Sequence, residues 1–268
     1  MFAAVRVVDL DRDMSDVIPT GTTPDSDYLF ARMTEVTLDL CRPDSGRSVL
    51  DVASGVGQDS LALAARGARV VGAEPSKRMM GMARLFAADA PSPQPGWVRS
   101  WSDALPFAGQ SFDAAVCKGA IDHFDCPAEA VAEMARVTRS DGVVVLAIAN
   151  FDSLACRLGR FLDGLDDWLP GRQSARGRRG YDAPSDHFTR YDLSLMSEQA
   201  SRYFELDAVV GVSLGWGAPG WSKLASRLPR GVANAILRAL DALARRYPAL
   251  ADVVVLAGPP RRSASTSS

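Results

Sequence analysis

The sequence predicts an α/β fold built on a parallel, doubly wound sheet, and three observations carry that expectation. From about residue 47 to 151, short apolar runs alternate with helical stretches. Most of these runs are apolar on both faces, as strands covered by helices on both sides must be. A turn holding Gly55 and Gly57 joins the first run to the first helical stretch, and such turns open ligand sites at the carboxyl edge of these sheets.

Ser48–Ala53, Ala68–Ala73, Trp97–Trp101, Phe112–Lys118 and Gly142–Asn150 read as strands. Between them, Asp59–Arg66, Lys77–Ala88 and Pro127–Arg139 combine helix formers with apolar spacings of three and four. Gly67 stops the first of these helices, and Asp141-Gly142 is expected to turn the third into its strand. Repeated β-α-β order implies right-handed crossovers.

After Asn150 the pattern changes. Asp152–Leu169 reads as an amphipathic helix with Leu154, Leu158, Phe161, Leu162, Leu165 and Trp168 on its apolar side. Residues 171–186 form a loop rich in Gly, Arg and Ser. Its arginines, Arg172, Arg176, Arg178 and Arg179, are expected to be solvated, with an anionic substrate as the sharper alternative. Leu193–Tyr203 reads as a helix, Phe204–Val212 as a strand and Gly211–Trp221 as a glycine-rich loop with two tryptophans. Gly231–Arg246 is helical, with Ile236, Leu240 and Leu243 in one row, and Ala251–Ala257 is a final strand. The last ten residues, 259–268, read as a disordered tail.

Of the 268 residues, 47% are apolar and 23% charged, the balance of an ordinary globular chain. A net charge of −2 offers no general attraction to nucleic acid or to an anionic membrane, so neither is expected as a partner. The N-terminus lacks a basic start followed by a long apolar run, and no apolar stretch has the length of a membrane helix. The cysteines Cys41, Cys117, Cys126 and Cys156 contain no CxxC pair, which argues against a disulfide framework or structural zinc. A reducing cytoplasm is the expected location.

The chemistry concentrates between Asp51 and Glu74. Val49–Gly57 is a buried strand running into glycines and then a helix N-terminus, where backbone amides are unpaired. The second strand ends in Glu74, 23 residues after Asp51, where a carboxylate can accept both hydroxyl protons of a ribose. A dinucleotide site is the obvious competitor. Against it, Asp51 would oppose a pyrophosphate but suit a ligand with an amino group and a positive sulfonium, and Ser60 stands where the dinucleotide fingerprint wants Gly or Ala.

These residues, with further motifs downstream, resemble the class I S-adenosylmethionine-dependent methyltransferases of the UbiE-like, or methyltransferase 11, group. Asp51, Ala53, Gly55 and Gly57 resemble the family's DxGxGxG, with Ala53 replacing the first glycine. Glu74-Pro-Ser-Lys-Arg-Met79 resembles its acidic residue followed by SxxM, which implies Glu74 on the ribose and Met79 against the adenine. Ser102-Asp-Ala-Leu-Pro-Phe107 resembles DAxxLPF and implies that Asp103 meets the adenine amino group, with Ala104 beside it. Lys118, ending the fourth strand, completes the residues expected around the cofactor. Ser111–Val116 resembles the fourth-strand FD motif, and Ala135–Gly142 resembles RVLRPGG, with Asp141 where glycine is usual. Asp186-His-Phe-Thr-Arg-Tyr191 resembles a partial EHxRxYT run.

The resemblance implies a seven-stranded Rossmann-like sheet whose antiparallel last strand inserts beside the fifth, plus a helical substrate cap. Residues 1–46 would be N-terminal cap helices, 47–151 the cofactor-binding core, 152–191 a cap insertion with a loop, and 192–258 the completion of the sheet. It also implies transfer of a methyl group to a small-molecule acceptor through O, N or C, in secondary metabolism. Non-methylating use of the same cofactor, such as cyclisation, and a nicotinamide-dependent oxidoreductase are the alternatives.

Methyl transfer from a sulfonium is an in-line displacement, so positioning supplies much of the rate, and a base is needed only for a protonated acceptor. His123, just beyond the fourth strand, is the candidate base; packing there is the competing reading. His187, Arg190 and Tyr191 read as structural partners of the loop. Asp122, His123 and Asp125 lack a recognisable ligand spacing, so no metal is expected. Tyr28, Phe30, Trp168, Trp216 and Trp221 fall in the caps, where an aromatic chamber would suit a flat or lipophilic acceptor.

Overall fold

A computed structural model describes residues 23–44, 46–90, 93–168 and 189–261, with residues 166–168 as backbone alone. The strands are β1 (Ser48–Val52), β2 (Arg69–Ala73), β3 (Gly96–Val98), β4 (Phe112–Lys118), β5 (Thr138–Ala149), β6 (Ala208–Val212) and β7 (Val253–Gly258). They form one seven-stranded sheet in the order β3-β2-β1-β4-β5-β7-β6. Pairing is parallel from β3 through β5, whereas β7 lies antiparallel between β5 and β6. The doubly wound sheet with an antiparallel last strand is therefore as the sequence implies.

The helices are α1 (Pro24–Leu40), α2 (Gln58–Ala65), α3 (Lys77–Ala88), α4 (Pro127–Val137), α5 (Leu154–Trp168), α6 (Leu193–Ser201), α7 (Trp221–Arg227) and α8 (Arg230–Arg246). Successive strand residues point to opposite faces, so the sheet builds two cores. Leu50, Ala115, Leu146 and Ile148 pack with Val131 and Met134 of α4 and Met196 of α6. Val49, Ala114, Val116 and Val145 pack with Leu29, Met33 and Leu38 of α1 and Leu63 of α2. All six residues of β7 are buried, which its central place requires.

Three boundaries differ from expectation. No turn at Asp141-Gly142 separates α4 from its strand, because β5 already begins at Thr138. Phe112 pairs with Thr138 but Ala114 with Val143, so the extra residues are absorbed as a bulge. A Cβ on Gly142 would lie 2.6 Å from the Asp113 carbonyl, so the bulge needs glycine. β3 stops at Val98, leaving Trp101 in the following loop. Phe204 makes only an isolated bridge to Pro260, and regular pairing of β6 starts at Ala208. There the chain crosses so close to Gly258 that a Cβ would lie 1.8 Å from the Glu205 carbonyl oxygen.

Ala53 leaves β1 at φ 56, a left-handed conformation that costs an L-residue about 1 kcal/mol relative to glycine. Ala53→Gly is accordingly expected to raise stability by about 0.5–1 kcal/mol, read as a higher urea midpoint at unchanged m-value. An unchanged or lower midpoint would show that the loop compensates for the alanine.

Candidate functional site

β1, β2 and β4 end on one edge of the sheet, and the loops after them converge there. The loop after β1 passes through the left-handed region at Ala53, Gly55 and Gly57 before α2 begins. At Gly57 a Cβ would lie 2.3 Å from the Trp97 ring. Gly72 pairs in register with Trp97, and its Cβ would lie 2.6 Å from the same ring. One indole of the edge strand thus lies against two backbone segments, and both glycines leave it the space. Sequence reasoning took Trp97 only as a strand residue; the available signal was Gly72 inside an otherwise apolar strand, which marks a close approach.

Glu74 follows β2 directly and is buried. Its Oε2 accepts the Gly55 N–H at 3.0 Å and its Oε1 accepts the Ser76 N–H at 2.8 Å. Burial raises its carboxyl pKa, and these two backbone bonds oppose the shift. Each oxygen keeps a further lone pair for another donor. Ser76 also caps α3, its hydroxyl accepting the Met79 N–H at 3.2 Å. Met79 is buried on that first turn, with its methyl 3.5 Å from where a Gly55 Cβ would stand.

Asp51, near the end of β1, is buried and accepts the Ser60 hydroxyl at 2.6 Å. Ser60, noted from sequence as a departure from the dinucleotide pattern, is therefore a direct partner of that carboxylate. Burial and the Asp59 charge push Asp51 up to about 7, while the Ser60 bond and Lys118 pull against them. The Lys118 ammonium donates to Asp59 Oδ1 and to Thr34 Oγ1, each at 2.7 Å, joining β4 to α2 and α1. The electrostatics of this edge combine Asp51, Asp59 and Glu74 with the Lys118 cation. The balance is negative, which would repel a pyrophosphate and attract a cationic ligand.

Asp103 and Ala104 lie in the loop between β3 and β4, where the Ala104 N–H donates to the Trp101 carbonyl at 3.3 Å. Asp103 groups with Cys126 and Glu129, whose ligand atoms lie within 4.8 Å of one another. The sequence offers a different trio, Asp122, His123 and Asp125, which has no recognisable ligand spacing. His123 ends a single 3-10 turn, Ile121–His123, partly exposed, with Nε2 4.0 Å from Asp122 Oδ1.

The cap is held by side chains distant in sequence. Trp216 Nε1 donates to Ser26 Oγ at 3.0 Å, and Phe30 meets the Trp216 ring edge-on at 6.2 Å. Ser222 donates to buried Asp25 at 2.7 Å. Asp252 accepts the N–H groups of Gly215 and Trp216 and is pushed up to about 6, chiefly by burial. Nothing in the sequence had singled out Asp25 or Asp252. Arg190 stacks over Phe151 at 5.9 Å, and the buried Tyr191 donates its hydroxyl to Gln199 at 2.8 Å. These partners are Phe151 and α6, whereas the loop expected to receive them lies outside the described residues. α5 leaves the same sheet edge and presents Leu154, Leu158, Phe161, Leu162 and Leu165 to solvent, each 39% to 63% exposed. The Trp168 side chain, the loop arginines and His187 lie outside the described residues.

Residues 50–146, which contain the glycine loop, Glu74 and Asp103, match the model of a family described as a methyltransferase domain. Residues 50–146 thus carry the marks of a methyltransferase domain. An uncharacterized methyltransferase of Mycobacterium marinum is 34% identical to the domain-bearing chain over 158 residues, covering 59% of each. The chain thus spans about three fifths of that relative's length. In fold, the methyltransferase domain and its caps are similar to the YcgJ protein of Bacillus subtilis, with a TM-score of 0.56 at 20% identity over 87% of this chain and 100% of that one. They are also similar to the [4+2]-cyclase SpnF, with a TM-score of 0.57 at 18% identity over 87% and 81%.

Proposed function

We propose that the chain transfers a methyl group from S-adenosylmethionine to a small, aromatic or lipophilic acceptor. The observation that carries this reading is Glu74: a buried carboxylate held by two backbone N–H groups, each oxygen keeping a lone pair, at the end of β2. That arrangement suits the two hydroxyls of a ribose and is organised before any ligand arrives. The fit extends to charge, because a net negative edge favours a sulfonium over a pyrophosphate.

In this reading the cofactor supplies an electrophilic methyl group. Asp51 faces the cationic amino-acid end, Ala53, Gly55 and Gly57 let the backbone approach it, and Lys118, held by Asp59 and Thr34, completes the cofactor's surroundings. Met79, Asp103 and Ala104 surround the adenine. The substrate side is the edge lined by His123, α1 and α5. The exposed stripe of α5 supports a lipophilic acceptor, since apolar side chains at a site mouth gain by covering apolar surface. His123 would take a proton from the acceptor, or hydrogen-bond it, and act through no metal. A cytoplasmic place in secondary metabolism completes the proposal. Non-methylating chemistry is the second reading, suggested by fold likeness to a cyclase.

Calorimetry with S-adenosylmethionine, S-adenosylhomocysteine and NAD tests the reading. Micromolar binding of the first two and none of NAD is expected; binding of NAD alone overturns it. Among acceptor panels, His123→Ala should lower turnover about 10²–10⁴-fold, the usual worth of a positioned base, with cofactor affinity unchanged. Full activity of that variant would remove His123 as a base, and cofactor binding without methyl release across a broad panel would favour the second reading.

A further inference from the structure

We propose that the outer face of α7 and α8 docks on an anionic lipid surface. The starting point is charge segregation that the net charge of −2 conceals. Of the chain's 30 basic and 32 acidic residues, residues 221–250 hold six and one, so this stretch is +5 and the rest of the chain −7. The one acid, Asp241, is buried on the inner side of α8, where it accepts the Ser213 N–H and faces Arg32 and Arg245. All six cations, Lys223, Arg227, Arg230, Arg238, Arg245 and Arg246, are exposed.

The helix geometry sorts them. Ala233, Leu237, Asp241 and Ala244 form the buried row of α8, at spacings of four and three. Arg238 and Arg245, seven residues apart, share one flank, and Arg230 is exposed at the start of the helix. Val232 and Leu243 lie three turns apart on the other flank. With Leu224 and Tyr247 they are 47% to 52% exposed. Among the described residues, no carboxylate stands within ion-pair distance of Lys223, Arg227, Arg230 or Arg238. Solvent-facing cations on one flank, half-exposed apolar side chains on the other and no exposed acid on either helix are the pattern of a helix pair lying in a lipid interface. The cations meet headgroup phosphates while Leu224, Val232, Leu243 and Tyr247 reach the acyl boundary. A folded nucleic acid would use the charges but leave the aliphatic side chains in water, so lipid is the better match.

This surface is separate from the candidate site, and its test does not depend on methyl transfer. The full chain is floated with vesicles of phosphatidylglycerol and phosphatidylcholine in equal parts, and with phosphatidylcholine alone, at low and raised salt. Partition onto the first but not the second is expected, with loss on adding salt as screening shortens. Replacing Arg230 and Arg238 by Gln should lower the partition constant about thirtyfold, since each cation near such a surface contributes about a factor of five. Val232→Ser with Leu243→Ser should lower it further without changing its salt dependence. Matching circular dichroism melts keep these variants comparable. No binding to the anionic vesicles, equal binding to both kinds, or binding untouched by the arginine pair each overturns the proposal. So does capture of single-stranded RNA, sensitive to the same arginines, in place of vesicles.

Discussion

Glu74→Ala is expected to weaken S-adenosylmethionine binding at least a hundredfold. Two hydrogen bonds from ligand hydroxyls to a buried carboxylate are worth about 1.5–3 kcal/mol each, and about 1.4 kcal/mol is a factor of ten. The loss has a second component, because Glu74 also holds the Gly55 and Ser76 amides. Without it two backbone donors lose their acceptor, the glycine loop loosens, and binding must then pay to order it. Glu74→Gln separates the components. Its amide can keep one backbone bond while giving up the charge, so it should melt closer to the parent than Glu74→Ala and still bind poorly. Titration calorimetry beside thermal melts reads both effects. Unchanged affinity in Glu74→Ala would remove the ribose role and with it the main support for the proposed cofactor.

Asp51→Asn is expected to move stability and binding in opposite directions. Asp51 is pushed up to about 7 by burial and the Asp59 charge, whereas an unfolded chain would leave it near the ordinary carboxylate value of about 4. The folded state therefore holds the proton more tightly, so this residue's contribution to stability is fully present below pH 4. It is lost as pH rises through about 7, a linkage of at most about 4 kcal/mol. Asparagine can still accept the Ser60 hydroxyl and carries no charge. The variant should thus melt higher than the parent at pH 8, and its stability should vary less between pH 4 and 7. Cofactor affinity should behave the other way: in the parent it rises as pH passes about 7 and the carboxylate ionises opposite a cationic ligand. In the variant it should be weak and lack that rise. Parallel pH profiles of melting temperature and binding would check this, and a variant that binds like the parent at pH 8 would show that Asp51 does not face the ligand's positive end.

Both predictions rest on residues that were visible before the fold was. Asp51, Gly55, Gly57 and Glu74 are recognisable because strand, turn and helix signals are local: an apolar run, glycines free to take left-handed dihedrals, and a carboxylate one strand further on. Boundaries at Thr138 and Phe204 were not legible, because a bulge and a chain crossing depend on what lies across the sheet. The same holds within the site. Lys118 was expected beside the cofactor, but its bonds to Asp59 and to Thr34, 84 residues away, follow from α1 lying across the sheet edge.

By itself, the sequence determined the order of strands and helices from β1 to β5, the glycine turn and the acidic residue ending β2, since these depend on periodicity and backbone sterics within a few residues. Tertiary structure decided what those residues touch. It set the Trp97 ring against Gly57 and Gly72, closed Glu74 onto two amides, and gave Asp51 its Ser60 partner and raised pKa. It also turned a near-neutral chain into one with a cationic face on α7 and α8. Burial and electrostatics act through space between residues far apart in the chain, so they exist only once the sheet has brought its edges together.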